Sequence, residues 1–453
     1  MENFKFVDGR LVHQEFMCEC GKKHTVPIQE VVVRQGALYE ISDVLNRLHL
    51  GEKCVVVADL NTQEAAGERV MSQLQRGEYQ PTLCVFPSYE LVKPDEYAIG
   101  KVMLEIEHDT SFLLVVGSGS LTDLIRYISS RTGIPFISVP TAASMDGYAS
   151  SGAPILHNGF KRTFLAAHPH AIIADVDVFS QAPYELTAAG FSDMLGKLNS
   201  RVDWKMSQIM TGEYYCEFFV QLIDDVVKMC LANTAGIQQG EPTAMARLME
   251  GLILSGIGML AIGNSRPASG SEHSLSHYWE MKAFLEHKTP HLHGKKVGVG
   301  TGVMAKFYEK FFARNPSNIN LANVRARKQS LEEIETALRQ GLGSAAEGVV
   351  SVARSTYLSW EEQQQQIEQF QTLWEELRQL QTIEPTFEQI RDSQNSVGAS
   401  ILPQDIDVNR SLLREALLNA KEVRSRYTVL RAAETLGWLE EITEEVVSEY
   451  EWD

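Results

Sequence analysis

The sequence predicts an α/β N-terminal domain with a doubly wound parallel sheet, followed by an all-α C-terminal domain. Five continuous apolar runs end at Gly, Pro, Ser, Asp or Asn, as buried parallel strands do. Segments with the helical period, such as "SLTDLIRYISSRTG", separate these runs. From about residue 188 onward the strand pattern stops. We therefore place the α/β domain at residues 1–187 and the helical domain, with a helical C-terminal extension, at residues 188–453.

The predicted elements follow one another in a βαβ series and then in a helical series. The strands are "KCVVVADLN", "PTLCVFPS", "FLLVVGSGS", "PFISVPTAAS" and "HAIIADVDVF". The order predicts a ligand crevice at the C-terminal ends of the strands. Among the later segments, "SWEEQQQQIEQFQTLWEELRQLQ" predicts a solvated amphipathic helix, with an oligomer contact as the alternative. "QIRDSQNSVGASILPQDIDVN" has a loop-like composition, and "RSLLREALLNAKEVRSRYTVLRAAETLGWLEEI" predicts a terminal helical section.

Composition and charge limit the possible partners. The 453 residues are 44% hydrophobic and 22% charged, which is ordinary for a soluble globular protein. The net charge of −18 disfavours a nucleic-acid partner, and an anionic ligand would need a local positive site. The N-terminal stretch has no apolar signal-type run, and "GLILSGIGMLAIG" is too short to span a bilayer. We expect a cytoplasmic protein without a membrane span.

The six cysteines do not form a disulfide-type pattern, because most of them are scattered along the chain. The exception is "CECGKKH", where Cys18, Cys20 and His24 are close in sequence. Only three potential metal ligands lie there and no second cysteine pair follows. A thiol-bearing hairpin is therefore the favoured interpretation, and part of a metal site is the alternative.

A glycine-containing loop follows the third predicted strand. In "VVGSGSLTD", Gly117 and Gly119 precede a helix that begins near Leu121, a pattern that suits a pyrophosphate. A plain strand-to-helix turn is the alternative. Asp59, at the end of another strand, suits either a cofactor ribose or a helix N-cap. Because Asp59 precedes the glycines in the chain, only an unusual strand order could bring them together.

The stretch "VPTAASMDGYASSG" follows the fourth predicted strand and is rich in small and hydroxylated residues. Thr141, Ser144, Ser150 and Ser151 surround Asp146 in it. This composition suits a loop between a cofactor and a second ligand, and a capped turn is the alternative.

Three histidines and one aspartate are candidate metal ligands. His273 and His277 are four residues apart, which places them on one face of a helix. His293 precedes a glycine, and Asp193 lies near a predicted helix start. One carboxylate and two imidazoles are a ligand set for a catalytic divalent ion with an open coordination position. A chance pair on a solvated helix face is the alternative.

Several of these motifs together resemble a known family. "GSGSLTD", "PTAASMDGYAS", "GFSDMLGK", "SGSEHSLSH" and "HGKKVGVG" have the order and approximate spacing of the dehydroquinate synthase-like and iron-containing alcohol dehydrogenase superfamily. Within it, the chain resembles the bacterial sn-glycerol-1-phosphate dehydrogenases. The resemblance covers roughly residues 25 to 310 well and the last sixty residues moderately, whereas residues 331–395 match nothing specific.

The resemblance implies a role for each matched residue. Asp193, His273 and His293 would hold the metal, zinc or nickel, and Asp146, Asp193 and His277 would contact the substrate and act in catalysis. The residues matching the contacts to NAD or NADP are Asp59, Gly117, Ser118, Gly119, Ser120, Leu121, Thr141, Ala142, Ala143, Ser144 and Ser150.

The resemblance also implies a reaction in phospholipid biosynthesis. Dihydroxyacetone phosphate would be reduced to sn-glycerol 1-phosphate by hydride transfer to C2, and the proton would come from water or from His277, whose ordinary pKa lies near neutrality. Lys161, Arg162, Arg266 and Lys295 flank the motifs as possible phosphate ligands or as surface charges. The alternatives are a glycerol dehydrogenase, a dehydroquinate-synthase-type cyclase or a catalytically silent scaffold. We expect a homo-oligomer, and most simply a dimer.

Overall fold

The computed structural model describes residues 4–13, 15–157 and 160–452, the side chains of residues 160 and 161 excepted. The chain divides into two compact units. The first is Met1–Met194 with Gln221–Ser265, and the second is Leu195–Val220 with Arg266–Asp453. This division differs from the single predicted boundary at residue 188, because the chain returns to the first unit at Gln221 and leaves it again after Ser265.

The first unit is built on an eight-stranded sheet. The strands of the unit are β1 (Phe4–Val7), β2 (Arg10–His13), β3 (Phe16–Met17), β4 (Lys23–His24), β5 (Glu30–Arg34), β6 (Lys53–Asp59), β7 (Gln80–Phe86), β8 (Phe112–Gly117), β9 (Phe136–Pro140), β10 (Gly152–His157), β11 (Phe160–Leu165) and β12 (Ala171–Asp175). The order in the main sheet is β1-β2-β5-β12-β9-β8-β6-β7. The pairs β3–β4 and β10–β11 form two separate antiparallel hairpins.

The predicted parallel sheet is confirmed. All five predicted strands are present as a contiguous run from β12 to β7, and each neighbouring pair in that run is parallel. Strand β5, which pairs in parallel with β12, and the antiparallel strands β1 and β2 at one edge of the sheet were not predicted. These edge strands have a partly exposed, mixed pattern rather than an apolar run, so hydropathy alone did not reveal them.

Helices cover both faces of this sheet. They are α1 (Ile41–Leu48), α2 (Leu60–Thr62), α3 (Glu68–Arg76), α4 (Glu96–Met103), α5 (Gly119–Thr132), α6 (Val176–Phe179), α7 (Tyr184–Thr211), α8 (Glu217–Leu231), α9 (Thr234–Gln238) and α10 (Pro242–Ile262). Successive strand residues point to opposite faces. Val56 of β6 packs in one core with Val44 of α1, whereas Val55 packs in the other core with Leu124 of α5. Helices α7 and α8 carry residues of both units.

Helix α10 explains why the first unit extends beyond the sheet region. It is apolar enough and long enough to cross a membrane. However, 67% of its most apolar stretch is buried inside the protein, as in the core helix of a globular unit. Gly256 lets the helix approach the backbone of Asp146, since a Cβ there would lie 2.6 Å from that carbonyl oxygen. The helix is therefore part of the support for the loop after β9.

The second unit is helical. Besides parts of α7 and α8 it contains α11 (Ser271–Leu285), α12 (His293–Phe312), α13 (Leu321–Arg327), α14 (Leu331–Leu342), α15 (Ala346–Thr356), α16 (Trp360–Arg378), α17 (Phe387–Asn395), α18 (Arg410–Asn419), α19 (Val429–Thr435) and α20 (Leu439–Ser448). Phe311 of α12 lies at the centre of the core, with its ring 5.7 Å from Trp374 and 5.6 Å from Trp438. Trp374 belongs to the Gln-rich segment, which forms the predicted amphipathic helix α16 with its apolar face in the core of its own unit.

Among the last hundred residues, one prediction needs correction and another is confirmed in more detail. The segment predicted to be loop-like, residues 389–409, begins inside helix α17, because Thr386 and Gln389 form a capping box that starts this helix. The predicted terminal helical section is divided into α18, α19 and α20. The non-helical residues 423–428 separate α18 from α19, and this break carries two arginines that matter for the site.

Candidate active site

Strand order in the first unit brings the predicted cofactor residues to one edge of the sheet. β6 and β8 are neighbours, with Val57 in register with Val115. Asp59 and Gly117 each lie two residues farther along these parallel strands, so they end side by side. The backbone N–H of Thr141, which follows β9, donates to the carbonyl oxygen of Gly117 over 3.3 Å. The strand order therefore brings Asp59 close to Gly117, although Asp59 precedes the glycine loop in the chain.

The glycine loop leads directly into helix α5. Gly117 has no room for a side chain, because a Cβ would lie 2.7 Å from Leu121 Cδ1. Ser118 occupies the N-cap position, and the helix begins at Gly119, two residues earlier than predicted. The first turn of an α-helix presents backbone N–H groups and the positive end of the helix dipole. This arrangement suits a pyrophosphate group at the sheet edge.

Asp59 is a helix N-cap, which is the second of the two alternatives considered for it. Its Oδ1 accepts a hydrogen bond from the backbone N–H of Thr62 over 2.8 Å, and the Thr62 hydroxyl is 3.0 Å from the Asp59 backbone nitrogen. The pair forms a capping box at the start of α2. The carboxylate is thereby fixed beside the glycine loop.

The loop after β9 is held by a buried arginine that the sequence analysis did not identify. The guanidinium of Arg126, on α5, donates to the carbonyl oxygens of Gly147, Tyr148 and Gly152 at 2.5, 3.1 and 3.0 Å. It also pairs with Asp123 at 2.6 Å. Burial lowers the pKa of Arg126, and the Asp123 carboxylate opposes that shift. The only signal for this role in the sequence is weak, an Asp and an Arg three residues apart.

Asp146 and Asp193 lie together in the first unit. The backbone N–H of Asp146 donates to Asp193 Oδ2 over 3.0 Å, and Asp146 Oδ2 accepts from the Ser255 hydroxyl over 2.8 Å. The loop can approach α7 because Gly190 has no side chain, since a Cβ there would lie 1.9 Å from the carbonyl oxygen of Ala143. Both carboxylates are buried. The predicted substrate-contacting aspartates therefore come from two elements that pack closely.

The second unit brings the three predicted histidines together. The rings of His273 and His293 are 5.2 Å apart, and the ring of His277 is 5.7 Å from that of His293. His273 and His277 lie on α11, and His293 is the first residue of α12. Gly300 permits the close packing of these helices, because a Cβ there would lie 2.8 Å from the carbonyl oxygen of Glu272.

A buried glutamate orients one of these histidines. His273 Nδ1 is 2.7 Å from Glu272 Oε1, and that oxygen also accepts from the backbone N–H of Gly270 over 2.8 Å. A carboxylate fixes the proton of His273 on Nδ1 and leaves Nε2 as the ligand atom, as carboxylate–histidine pairs do around metal ions. The sequence analysis missed Glu272 because adjacent residues on a helix do not usually face each other.

Helix α7 carries Asp193 and, one turn later, Gly196. In the second unit, a Cβ on Gly196 would lie 3.6 Å from His273 Cε1 and 2.7 Å from Val297 Cγ1. Residues three positions apart on a helix share a face. Asp193 and Gly196 therefore lie on one face of this continuous helix.

Two arginines from the break between α18 and α19 complete the cluster in the second unit. The Arg424 guanidinium donates to His277 Nε2 over 2.8 Å and to the Ser269 hydroxyl over 3.0 Å, and Arg426 donates to the Ser269 carbonyl oxygen over 2.8 Å. Burial, with repulsion from Arg424, lowers the pKa of His277 well below its ordinary value. The proton-donating role expected for His277 therefore does not have the support of an ordinary histidine pKa.

A buried aspartate fixes both segments that form this cluster. Asp203 Oδ2 accepts from the backbone N–H of Ser271, at the start of α11, and Oδ1 accepts from that of Val429, at the start of α19, each over 2.7 Å. Burial raises the pKa of Asp203 to about 6. Asp203 thus couples the position of the histidines to that of the arginines.

The cationic residues suggested from the sequence are placed elsewhere or bound to other groups. Arg266 pairs with Glu213 at 2.6 Å, and Arg162 is exposed with its guanidinium 5.2 Å from the ring of Phe164. Lys295 is half-buried on α12. The side chain of Lys161 lies outside the described residues. Arg424 instead donates to His277, and Arg426 binds the neighbouring Ser269; both were predicted only as part of a helical section.

Comparison with known proteins gives the class of this fold. A family model for iron-containing alcohol dehydrogenases matches residues 32–183. A probable glycerol dehydrogenase from Sinorhizobium meliloti has a TM-score of 0.60 at 15% identity, covering 92% of this chain and 97% of that one. A sulfoacetaldehyde reductase from Bifidobacterium kashiwanohense, in complex with NAD+, has a TM-score of 0.59 at 13% identity, covering 94% and 99%. The fold is thus that of the iron-containing alcohol dehydrogenase class.

Similarity in sequence is more specific. A glycerol-1-phosphate dehydrogenase [NAD(P)+] from Geobacillus thermodenitrificans is 34% identical over 416 residues, which are 91% of this chain and 94% of the relative. The enzyme of that name from Bacillus subtilis is 31% identical over 409 residues, 90% and 91% of the two chains. The chain belongs to the glycerol-1-phosphate dehydrogenase family.

Proposed function

We propose that this protein reduces dihydroxyacetone phosphate to sn-glycerol 1-phosphate with NADH or NADPH. The observation that carries the proposal is the hydrogen bond from the half-buried Arg424 guanidinium to His277, whose ring lies 5.7 Å from that of His293. A ligand with both a carbonyl group and a phosphate matches a site in which a cation lies beside imidazoles that can bind a metal ion. The names of the relatives point to the same substrate class.

We assign Asp193, His273 and His293 as the ligands of one divalent metal ion. The Glu272 contact to His273 Nδ1 and the closeness of the two imidazoles support this assignment, as does the shared face of Asp193 and Gly196 on α7. One oxygen and two nitrogen donors suit zinc or nickel. When bound, such an ion supplies Lewis-acid polarisation of the substrate carbonyl.

The cofactor would bind at the C-terminal edge of the sheet. The start of α5 offers backbone N–H groups to the pyrophosphate, and Asp59 lies where it could accept from a ribose hydroxyl. The loop Thr141–Ser144 and Ser150 would contact the nicotinamide half, held in place by Arg126. The reduced nicotinamide supplies the hydride for C2 of the substrate.

We assign the phosphate to Arg424 and Arg426, and the proton to water. Guanidinium groups bind phosphate through charge-assisted hydrogen bonds. Burial and the Arg424 charge lower the pKa of His277, which favours water as the proton donor and a substrate-contacting role for His277. Asp146, held by Ser255, would accept a hydrogen bond from a substrate hydroxyl. We further propose a cytoplasmic homodimer in phospholipid biosynthesis.

The test is NADH oxidation with dihydroxyacetone phosphate by metal-stripped protein and by protein resupplied with zinc or nickel. We expect metal-dependent turnover that is lost in His273→Ala and is slow on unphosphorylated dihydroxyacetone. Comparable turnover of both substrates would favour a glycerol dehydrogenase. Cofactor binding without net turnover with any metal would reject the proposal in favour of a cyclase or a silent scaffold.

A further inference from the structure

The hairpin β3–β4 gathers two thiols and an imidazole in the first unit, apart from the residues assigned above. Cys18 and Cys20 lie in its turn, and His24 lies at its second strand. The ligand atoms of these three residues all lie within 4.8 Å of one another. Cys20 Sγ is 3.2 Å from His24 Nε2. The sequence analysis favoured a plain thiol-bearing hairpin, but it could not show that the imidazole faces the thiol.

The backbone of the turn fixes this arrangement before any ligand is considered. The N–H of Cys18 donates to the carbonyl oxygen of Lys22, and the N–H of Gly21 donates to that of Cys18, each over 2.9 Å. Gly21 has a φ of +83°, which only glycine adopts without strain. The turn thereby folds back so that residues 18 and 20 face His24. Such a preformed geometry lowers the entropic cost of binding an ion.

Aromatic packing around the hairpin shields one side of the site from solvent. His24 is only 1% exposed, and its ring lies 5.7 Å from that of Phe16, which in turn makes an edge contact with Phe4 at 6.0 Å. Cys18 and Cys20 are half-buried, so an ion could enter from their side. A short two-residue strand pair has little stability of its own, and a bound ion would add to it.

We propose that Cys18, Cys20 and His24 bind a soft divalent cation, zinc, as a structural site of this protein. Two thiolates and one neutral imidazole balance the charge of Zn²⁺, and sulfur donors favour zinc over the hard cations. The site differs from the Asp193, His273 and His293 set in its sulfur ligands and does not depend on the function proposed for that set.

The first measurement is the metal content of the full-length protein, purified with reductant and dialysed against zinc. We expect about two zinc ions per chain. Cys20→Ser and His273→Ala should each remove one of them, and the double variant should remove both. Cys84→Ala, which changes a buried thiol of β7, is the matched control and should keep two. A ratio of one that is unchanged in Cys20→Ser and Cys18→Ser would overturn the proposal.

The second measurement is spectroscopic. Cobalt replacing zinc should give a thiolate-to-cobalt charge-transfer band in the near ultraviolet, which an oxygen-and-nitrogen site cannot produce. The band should persist in His273→Ala and disappear in Cys20→Ser. Absence of the band in wild-type protein loaded with two cobalt ions, or a Cys18–Cys20 disulfide formed in place of metal binding, would reject the site. Both readouts are independent of enzymatic activity, so they can fail without affecting the proposed reaction.

Discussion

The Arg424 guanidinium donates a hydrogen bond to His277 Nε2 over 2.8 Å, although 147 residues separate the two in the chain. The contact joins the non-helical segment after α18 to His277 of α11, beside the proposed metal ligands His273 and His293. It makes the C-terminal region part of the site instead of a separate extension. It also predicts how the protein distinguishes a phosphorylated substrate from an unphosphorylated one.

Replacing Arg424 should reduce the preference for the phosphorylated substrate over the unphosphorylated one. A hydrogen bond to a charged group contributes about 1.5–3 kcal/mol, so Arg424→Gln should lower kcat/KM for dihydroxyacetone phosphate about 10- to 100-fold. The rate on unphosphorylated dihydroxyacetone should change much less. Arg162→Gln, an exposed arginine on β11, is the control and should leave both rates unchanged. An equal loss on both substrates in Arg424→Gln would show that the residue does not recognise phosphate.

The same substitution should shift the titration of His277 in metal-free protein. Burial is the main cause of its lowered pKa, and the Arg424 charge adds to it. Removing the cation should raise the pKa while leaving it below 6.5. As the pH falls through 6.5, the unfolded chain takes up a proton that the folded chain does not, so His277 lowers stability in acid. NMR titration of the His277 ring in wild type and Arg424→Gln measures the shift, and identical curves would contradict it.

Glu272 should control metal affinity without being a ligand. Glu272→Gln keeps the shape of the side chain but weakens its hold on the His273 Nδ1 proton. We expect a 10- to 100-fold loss of affinity for zinc or nickel at the catalytic site, as for other carboxylates that support a ligand histidine. Glu286→Gln, at the exposed end of α11, serves as the comparison. Competition with a chelator measures the metal affinity of both variants and of the wild type. Equal affinities of Glu272→Gln and the wild type would show that Glu272 does not support metal binding.

Close packing of α11 and α12 should be essential for placing the imidazoles. In Gly300→Ala the new Cβ would lie 2.8 Å from the Glu272 carbonyl oxygen, so the helices must separate. We expect a loss of about 1–3 kcal/mol in the free energy of unfolding together with weaker metal binding. Gly348→Ala on α15, where no atom lies within 4 Å, should instead stabilise the protein by up to about 1 kcal/mol. Chemical denaturation compares the two variants, and equal stabilities would contradict the packing argument.

The fold of the first unit could be predicted because its central strands are buried on both faces. Strands such as β6 and β8 therefore consist of consecutive apolar residues that hydropathy reveals directly. The edge strands β1 and β2 are partly exposed and carry no such pattern. Helix α10 was predicted, but its return to the first unit was not, because periodicity gives the type of an element and not its packing partner.

The residues that could be named from the sequence are those whose type alone indicates a chemistry. The histidines of α11 and α12, the aspartates and the glycine loop belong to motifs with a recognisable composition, and the family resemblance rested on these motifs. The supporting residues were missed. Arg126, Asp203, Glu272 and Arg424 are ordinary charged residues in the sequence, and their roles arise from burial and from partners that are distant in the chain or unexpected at adjacent positions.

By itself the sequence determined the α/β and helical division, the family and the candidate ligands, because local hydropathy and residue type are properties of short segments. Only the tertiary structure decided that Asp59 lies beside Gly117, that Glu272 holds His273, and that Arg424 reaches His277. These contacts depend on strand order, helix packing and the capping of two helices by Asp203. A buried polar group costs free energy unless the fold supplies its partner, and that partner is fixed only when the whole chain has packed.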